Sequence, residues 1–263
     1  MSDSITFTEG GDRLRWVAVP GRGEPVVYIH GLGCHGGASW TDTAVRLGRP
    51  GIIVELPGHG RSDRPSDFGY TLPEMAEGVA RAIEAVTDGR PVDLVSHSLG
   101  GTIAIVLAAA RPDLVRRSVL VEPAIDPVQI RPRDIAAYSE DAILDGGWNE
   151  ILTAELDWRR CEMRLADPIA IRRLAAALCD ALGGTLHALL RDTRVPTTLV
   201  RGELRSYDRA DEFLLAGIPD VVVENSQHFV MLDQPDAFQS VLRVAFGNRP
   251  DDARVAGPVS CRR

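Results

Sequence analysis

One serine is set apart by its neighbours. Ser98 lies in Ser96-His97-Ser98-Leu99-Gly100-Gly101, directly after the apolar run Val92-Asp93-Leu94-Val95 and directly before a helix-period stretch closed by Arg111-Pro112. A serine at the apex of a strand, tight turn and helix is held in a strained conformation, with Oγ exposed at the carboxyl edge of a sheet. Small residues are needed two before and two after it, because the strand and helix backbones approach closely. Here they are Ser96 and Gly100, so the first departs from the usual G-x-S-x-G pattern. The N–H of Leu99 opens the helix, where a developing oxyanion is favoured. The plain alternative is a serine that merely caps a helix. The strand before it and the glycine pair after it favour a nucleophile.

A nucleophile of this kind needs a second oxyanion donor. Tyr28-Ile29-His30-Gly31-Leu32-Gly33 leaves another apolar run, and the N–H of Leu32 is the expected donor, with Gly31 lining the substrate pocket. Two donors matter because removing one costs about 10²–10³ in rate.

Composition removes other chemistries. All 29 basic residues are arginine, so no Schiff-base lysine, pyridoxal-phosphate anchor or phosphate-loop lysine exists. The net charge of −8 argues against a nucleic-acid surface. Cys34, Cys161, Cys179 and Cys261 form no paired metal-ligand spacing. No run of 18 apolar residues could span a membrane. Residues 1–15 carry no apolar run of a secretory signal, so free thiols in a reducing cytoplasm are expected. Neither a metal nor a cofactor is expected.

The elements that must position these residues are legible as an alternation. Short β-branched runs occur at 25–29, 51–55, 92–95, 118–121, 197–200 and 221–223, each nearly all apolar, as strands of a parallel sheet buried on both faces are. Helix-period stretches lie between them. One covers 72–86, with Thr71 as cap and Pro73 in the first turn; others cover 98–110, 208–216 and 235–246. The fold class is α/β, with a mostly parallel sheet flanked by helices. Residues 126–192 read as helical throughout and predict a cap inserted between core segments 1–125 and 193–246. Residues 247–263 lack periodicity and are expected to be disordered.

His30-Gly31-Leu32-Gly33, Pro57-Gly58-His59-Gly60-Arg61-Ser62, the Ser98 turn and Gln227-His228-Phe229 together resemble the α/β-hydrolase superfamily over about 26–246. The resemblance implies that His228 is the general base and that His30 and His59 support their loops. It leaves three candidates for the acid. Glu122, in Val121-Glu122-Pro123-Ala124, matches the position where zearalenone-lactonase-like members carry a glutamate. Asp208 and Glu203 lie near the end of the next-to-last strand, where many relatives carry an aspartate. Chain order Ser98, Glu122, His228 fits nucleophile, acid, base.

The expected activity is cleavage of a hydrophobic carboxylic ester or lactone through an acyl-enzyme. Trp148 and Trp158, with Met163, would roof the pocket, or would form the core of the insert. A thioesterase, a C–C hydrolase or lyase, and a low-turnover small-molecule receptor share the same residues. Dehalogenase and epoxide-hydrolase chemistry is disfavoured because their nucleophile is an aspartate.

Overall fold

The structure is a computed structural model that describes residues 3–125, 130–181, 184–204, 217–247 and 260–262. Nine strands among them form one sheet: β1 (Ser4–Thr6), β2 (Arg13–Val19), β3 (Val26–Ile29), β4 (Gly51–Glu55), β5 (Val92–His97), β6 (Val115–Val121), β7 (Thr197–Gly202), β8 (Asp220–Val223) and β9 (Ser260–Arg262). Their order is β1-β2-β4-β3-β5-β6-β7-β8-β9. Strands β4, β3, β5, β6, β7 and β8 run parallel, and β1, β2 and β9 are antiparallel additions at the edges. The expected α/β sheet is the one observed. The hairpin β1–β2 had no counterpart in the sequence reading, because β1 is only three residues long and β2 starts with the alternating Arg13-Leu14-Arg15. The disorder expected over 247–263 is corrected at 260–262, which form β9 on β8; residues 248–259 and 263 lie outside the described residues, as does the helix expected at 208–216.

Period-two alternation sorts the strands onto two cores. Val27 and Ile29 face one core with helices α2 (Leu72–Thr87) and α3 (Leu99–Ala110). Val26 and Tyr28 face the other, with α1 (Gly36–Leu47) and the C-terminal helix Pro235–Ala245. Helix α2 begins as its sequence dictates. Thr71 accepts from the Glu74 N–H while Glu74 accepts from the Thr71 N–H, a reciprocal cap. One buried charge interrupts the apolar β5: Asp93 is fully buried and pairs with Arg49 at 2.7 Å and bidentately with Arg116 at 2.6 and 2.9 Å.

The helical segment begins with α4 (Ile130–Ala136) and the short α5 (Glu140–Ala142), then passes a π turn at Ile143–Gly147. It continues through α6 (Trp148–Thr153), α7 (Asp157–Met163), α8 (Pro168–Ala181) and α9 (Gly184–Asp192). It divides in two. Ile135, Ile143, Ile151, Leu152, Met163 and Ile171 form a small core of their own, whereas Leu186 and Leu190 of α9 join the sheet core. No helix among the described residues is long and apolar enough to cross a membrane.

The strand order places the site. The chain moves from β3 to β4 on one side and returns to β5 on the other side of β3, so the loops leaving β3 and β5 diverge and open a crevice at their carboxyl ends. Those are the Leu32 loop and the Ser98 turn.

Candidate active site

Ser98 has φ 53° and ψ −118°, and its side chain makes no capping bond. A serine cap would be extended, with Oγ on a backbone N–H, so the capping reading fails. The strained turn is held from both sides. Ser98 N–H donates to Val121 O at 3.0 Å, and its carbonyl accepts from Thr102 and Ala124 N–H at 3.2 Å. A Cβ on Gly100 would lie 2.5 Å from Ile29 O, so only glycine lets α3 pass β3 this closely. Ser96 fits where glycine is usual because its hydroxyl turns onto Val119 O at 3.4 Å.

The Leu32 loop is gripped by two buried histidines. His30 Nε2 accepts from Leu56 N–H at 3.0 Å, and its Nδ1–H donates to Gly31 O at 2.8 Å. His59 Nε2 accepts from Gly33 N–H at 3.1 Å, and its Nδ1–H donates to Pro57 O at 3.0 Å. Each ring thus needs one bare nitrogen and is neutral. Burial pushes His30 below the usual imidazole range and His59 down to about 3. Gly31 abuts the Ser98 turn: a Cβ there would lie 3.2 Å from Ser98 Cβ and 3.0 Å from His97 Nδ1. Among the described residues, neither Leu32 N–H nor Leu99 N–H donates within the protein.

His228 follows β8 in a loop fastened by Gln227 N–H to Asp233 Oδ2 at 2.7 Å. Its Nδ1 lies 3.4 Å from Glu122 Oε2, and Glu122 Oε1 accepts from Gly202 N–H at 2.7 Å. Glu122, 3% exposed with φ 47°, turns out of β6 toward the His228 loop. Gly202 permits the approach, since a Cβ there would meet Gln227 O at 2.3 Å. Glu203 points elsewhere, its carboxylate accepting from Asn225 N–H at 3.0 Å. Asp208 lies outside the described residues.

His97, next to Ser98, faces away from it. The ring is fully buried, and its Nε2–H donates to His228 O at 2.8 Å. It thereby ties the residue before Ser98 to the backbone of His228. Burial pushes it well below the usual range, so it is a neutral strut.

Of the expected roof residues, Trp158 packs edge-on against Phe229 at 4.8 Å, and Met163 sits over Gly33, where a Cβ would lie 2.9 Å from its Cγ. Trp148 packs against the core of the helical layer, the second of the two places expected for it. Arg159 went unnoticed in the sequence, because an arginine amid Asp157, Arg160 and Glu162 reads as a solvated face. Its side chain is only 13% exposed and reaches the Leu32 loop. No group of three or more His, Cys, Asp or Glu among the described residues could hold a metal ion.

A family model described as the alpha/beta hydrolase family matches residues 26–240. An esterase of Mycobacterium tuberculosis is 38% identical, the match covering 90% of this chain and 86% of that protein. A lipase of the same organism is 30% identical over 85% of this chain and 94% of its own length. Among solved structures, that of E-2-(acetamidomethylene)succinate hydrolase superposes with a TM-score of 0.73 at 24% identity, covering 94% of this chain and 99% of that one.

Proposed function

The chain belongs to the alpha/beta hydrolase family, and on that premise we propose that it is a serine hydrolase of carboxylic esters, with Ser98 as nucleophile, His228 as base and Glu122 as acid. Glu122 accepts from His228 Nδ1–H, which leaves Nε2 bare to take the Ser98 proton as Oγ attacks the ester carbonyl. The N–H groups of Leu32 and Leu99 hold the oxyanion. The imidazolium then protonates the departing alcohol. Water, deprotonated by His228, attacks the acyl-enzyme, releases the acid and restores Ser98.

The single observation that carries this reading is the Glu122–His228 contact, fixed at its far end by Gly202 N–H, with the His228 carbonyl tied to His97, the residue before a serine whose hydroxyl does no capping. The named activities of the two mycobacterial relatives support an ester. The apolar contacts of Trp158, Phe229 and Met163 over the site support a hydrophobic one, and a lactone is a ring-closed version of the same bond. The helices built around Ile135, Ile143, Ile151 and Met163 serve as the roof in this reading, while α9 belongs to the sheet core.

The test is labelling with a fluorophosphonate alongside turnover of p-nitrophenyl esters. Wild type should be labelled and Ser98→Ala should not. Equal labelling of both would remove Ser98 from the role, and a wild type that binds esters without turnover would favour the receptor reading. Preference for an acyl thioester over its oxygen ester would redirect the assignment to a thioesterase.

A further inference from the structure

The peptide bond between Leu32 and Gly33 is held at both ends, by different layers of the molecule. Its N–H donates to His59 Nε2 at 3.1 Å, from the sheet side. Its carbonyl, Leu32 O, accepts from Arg159 Nη2 at 3.2 Å, from the helical layer above. Arg159 Nη1 also reaches Cys34 Sγ at 3.0 Å, so the guanidinium fork straddles the loop. Its flat face lies 5.4 Å from the centre of the Phe229 ring, next to His228. The Leu32 N–H belongs to the preceding peptide, whose carbonyl, Gly31 O, accepts from His30 Nδ1–H at 2.8 Å and from Cys34 N–H at 3.2 Å; with the next peptide plane clamped as well, Leu32 is held on both sides and its N–H cannot swing with the loop.

We propose that Arg159 is a positioning residue that reaches down from α7 to aim the Leu32 N–H at the oxyanion, making rapid hydrolysis conditional on the helical layer being seated. The proposal rests on the reading of the Leu32 loop as an oxyanion donor. A half-buried arginine over an active site invites another reading, an anchor for a carboxylate on the substrate. Two features weigh against it. Glu155 and Glu162 each stand 3.9 Å from the guanidinium and offset its charge. The fork is also already turned onto a backbone carbonyl and a thiol. Lysine could keep the charge but not the fork.

Arg159→Lys and Arg159→Met separate the two readings. With neutral p-nitrophenyl acetate, both variants should lose roughly tenfold to a hundredfold in kcat with KM little changed, the pattern of a contact that matters only in the transition state. The same loss is expected with the anionic mono-p-nitrophenyl succinate. Amide hydrogen exchange at Gly31, Gly33 and Cys34 should accelerate in both variants while exchange in β5 and β6 stays as in wild type. If kcat on the neutral ester stays within about twofold of wild type, the clamp has no catalytic role. If KM alone rises, and only for the anionic ester, Arg159 anchors substrate instead. Should Arg159→Met fail to fold, Arg159→Lys carries the same expectations. A wild type inactive on every ester would refute the hydrolase reading, whereas unchanged exchange in the variants would refute the clamp.

Discussion

Ser98 and Glu122 sit at the ends of adjacent strands, and both have positive φ, 53° and 47°. Residues with a Cβ avoid that region at a cost of about 1–3 kcal/mol each, so neighbouring structure must enforce it. Here the carbonyls of Val121 and Val200 take the N–H groups of Ser98 and Glu122. Strain of this kind predicts opposite effects on stability and activity. Ser98→Gly should raise the thermal midpoint, with a gain of about 1 kcal/mol, while abolishing ester turnover. A variant that melts earlier would show that the turn is not strained. Glu122→Gln keeps an oxygen for Gly202 N–H but turns an amide toward His228 Nδ1, which selects the wrong tautomer. Its kcat should fall by roughly 10³–10⁴ with the fold intact. Near-normal turnover in that variant would move the acid elsewhere, with Asp208 next to be tested as Asp208→Asn.

At the scale of elements, two polar devices fix where strands and helices begin. Asp93 opens β5 and neutralises Arg49 and Arg116 at the edge of the sheet opposite the site. Removing it strands a guanidinium whose side chain is 7% exposed. Asp93→Ala should therefore cost about 3–5 kcal/mol, read as a lower urea midpoint with little change in kcat of the remaining folded protein. A loss below about 1 kcal/mol would mean that water reaches Arg49. The Thr71–Glu74 box on α2 is exposed and lies on a helix that already buries Met75, Val79 and Ile83. Thr71→Ala should cost only about 1 kcal/mol. The contrast follows from burial, since both devices consist of polar groups satisfying one another.

For the whole molecule, three buried neutral histidines set the response to acid. His30, His59 and His97 are held below the ordinary imidazole range by burial, His59 at about 3. In the unfolded chain each titrates near 6.5. Between the folded and unfolded values the unfolded state binds more protons, so stability is full above about pH 6.5 and falls as the pH drops toward the folded value. Each such histidine contributes a slope of up to about 1.4 kcal/mol per pH unit. Urea midpoints should decline between pH 6.5 and 5, above the ordinary carboxylate range, and His59→Gln should flatten that decline. A flat profile over this interval would mean that these rings are solvated. The sequence by itself determined the sheet, the strained turn at Ser98 and the loop opposite it. Local backbone constraints leave legible marks: apolar β-branched runs, a serine between small residues, glycines where strands and helices touch. It narrowed the acid to three positions and favoured Glu122 by resemblance, but it could not show the contact, because Glu122 and His228 are 106 residues apart and their meeting depends on the register of β6 against β7 and β8. Tertiary structure alone decided that contact among the described residues, the turning of His97 onto the His228 carbonyl, the place of Trp148 within the helical layer and the reach of Arg159 to Leu32. Each depends on how one layer lies upon another, which no stretch of sequence encodes locally.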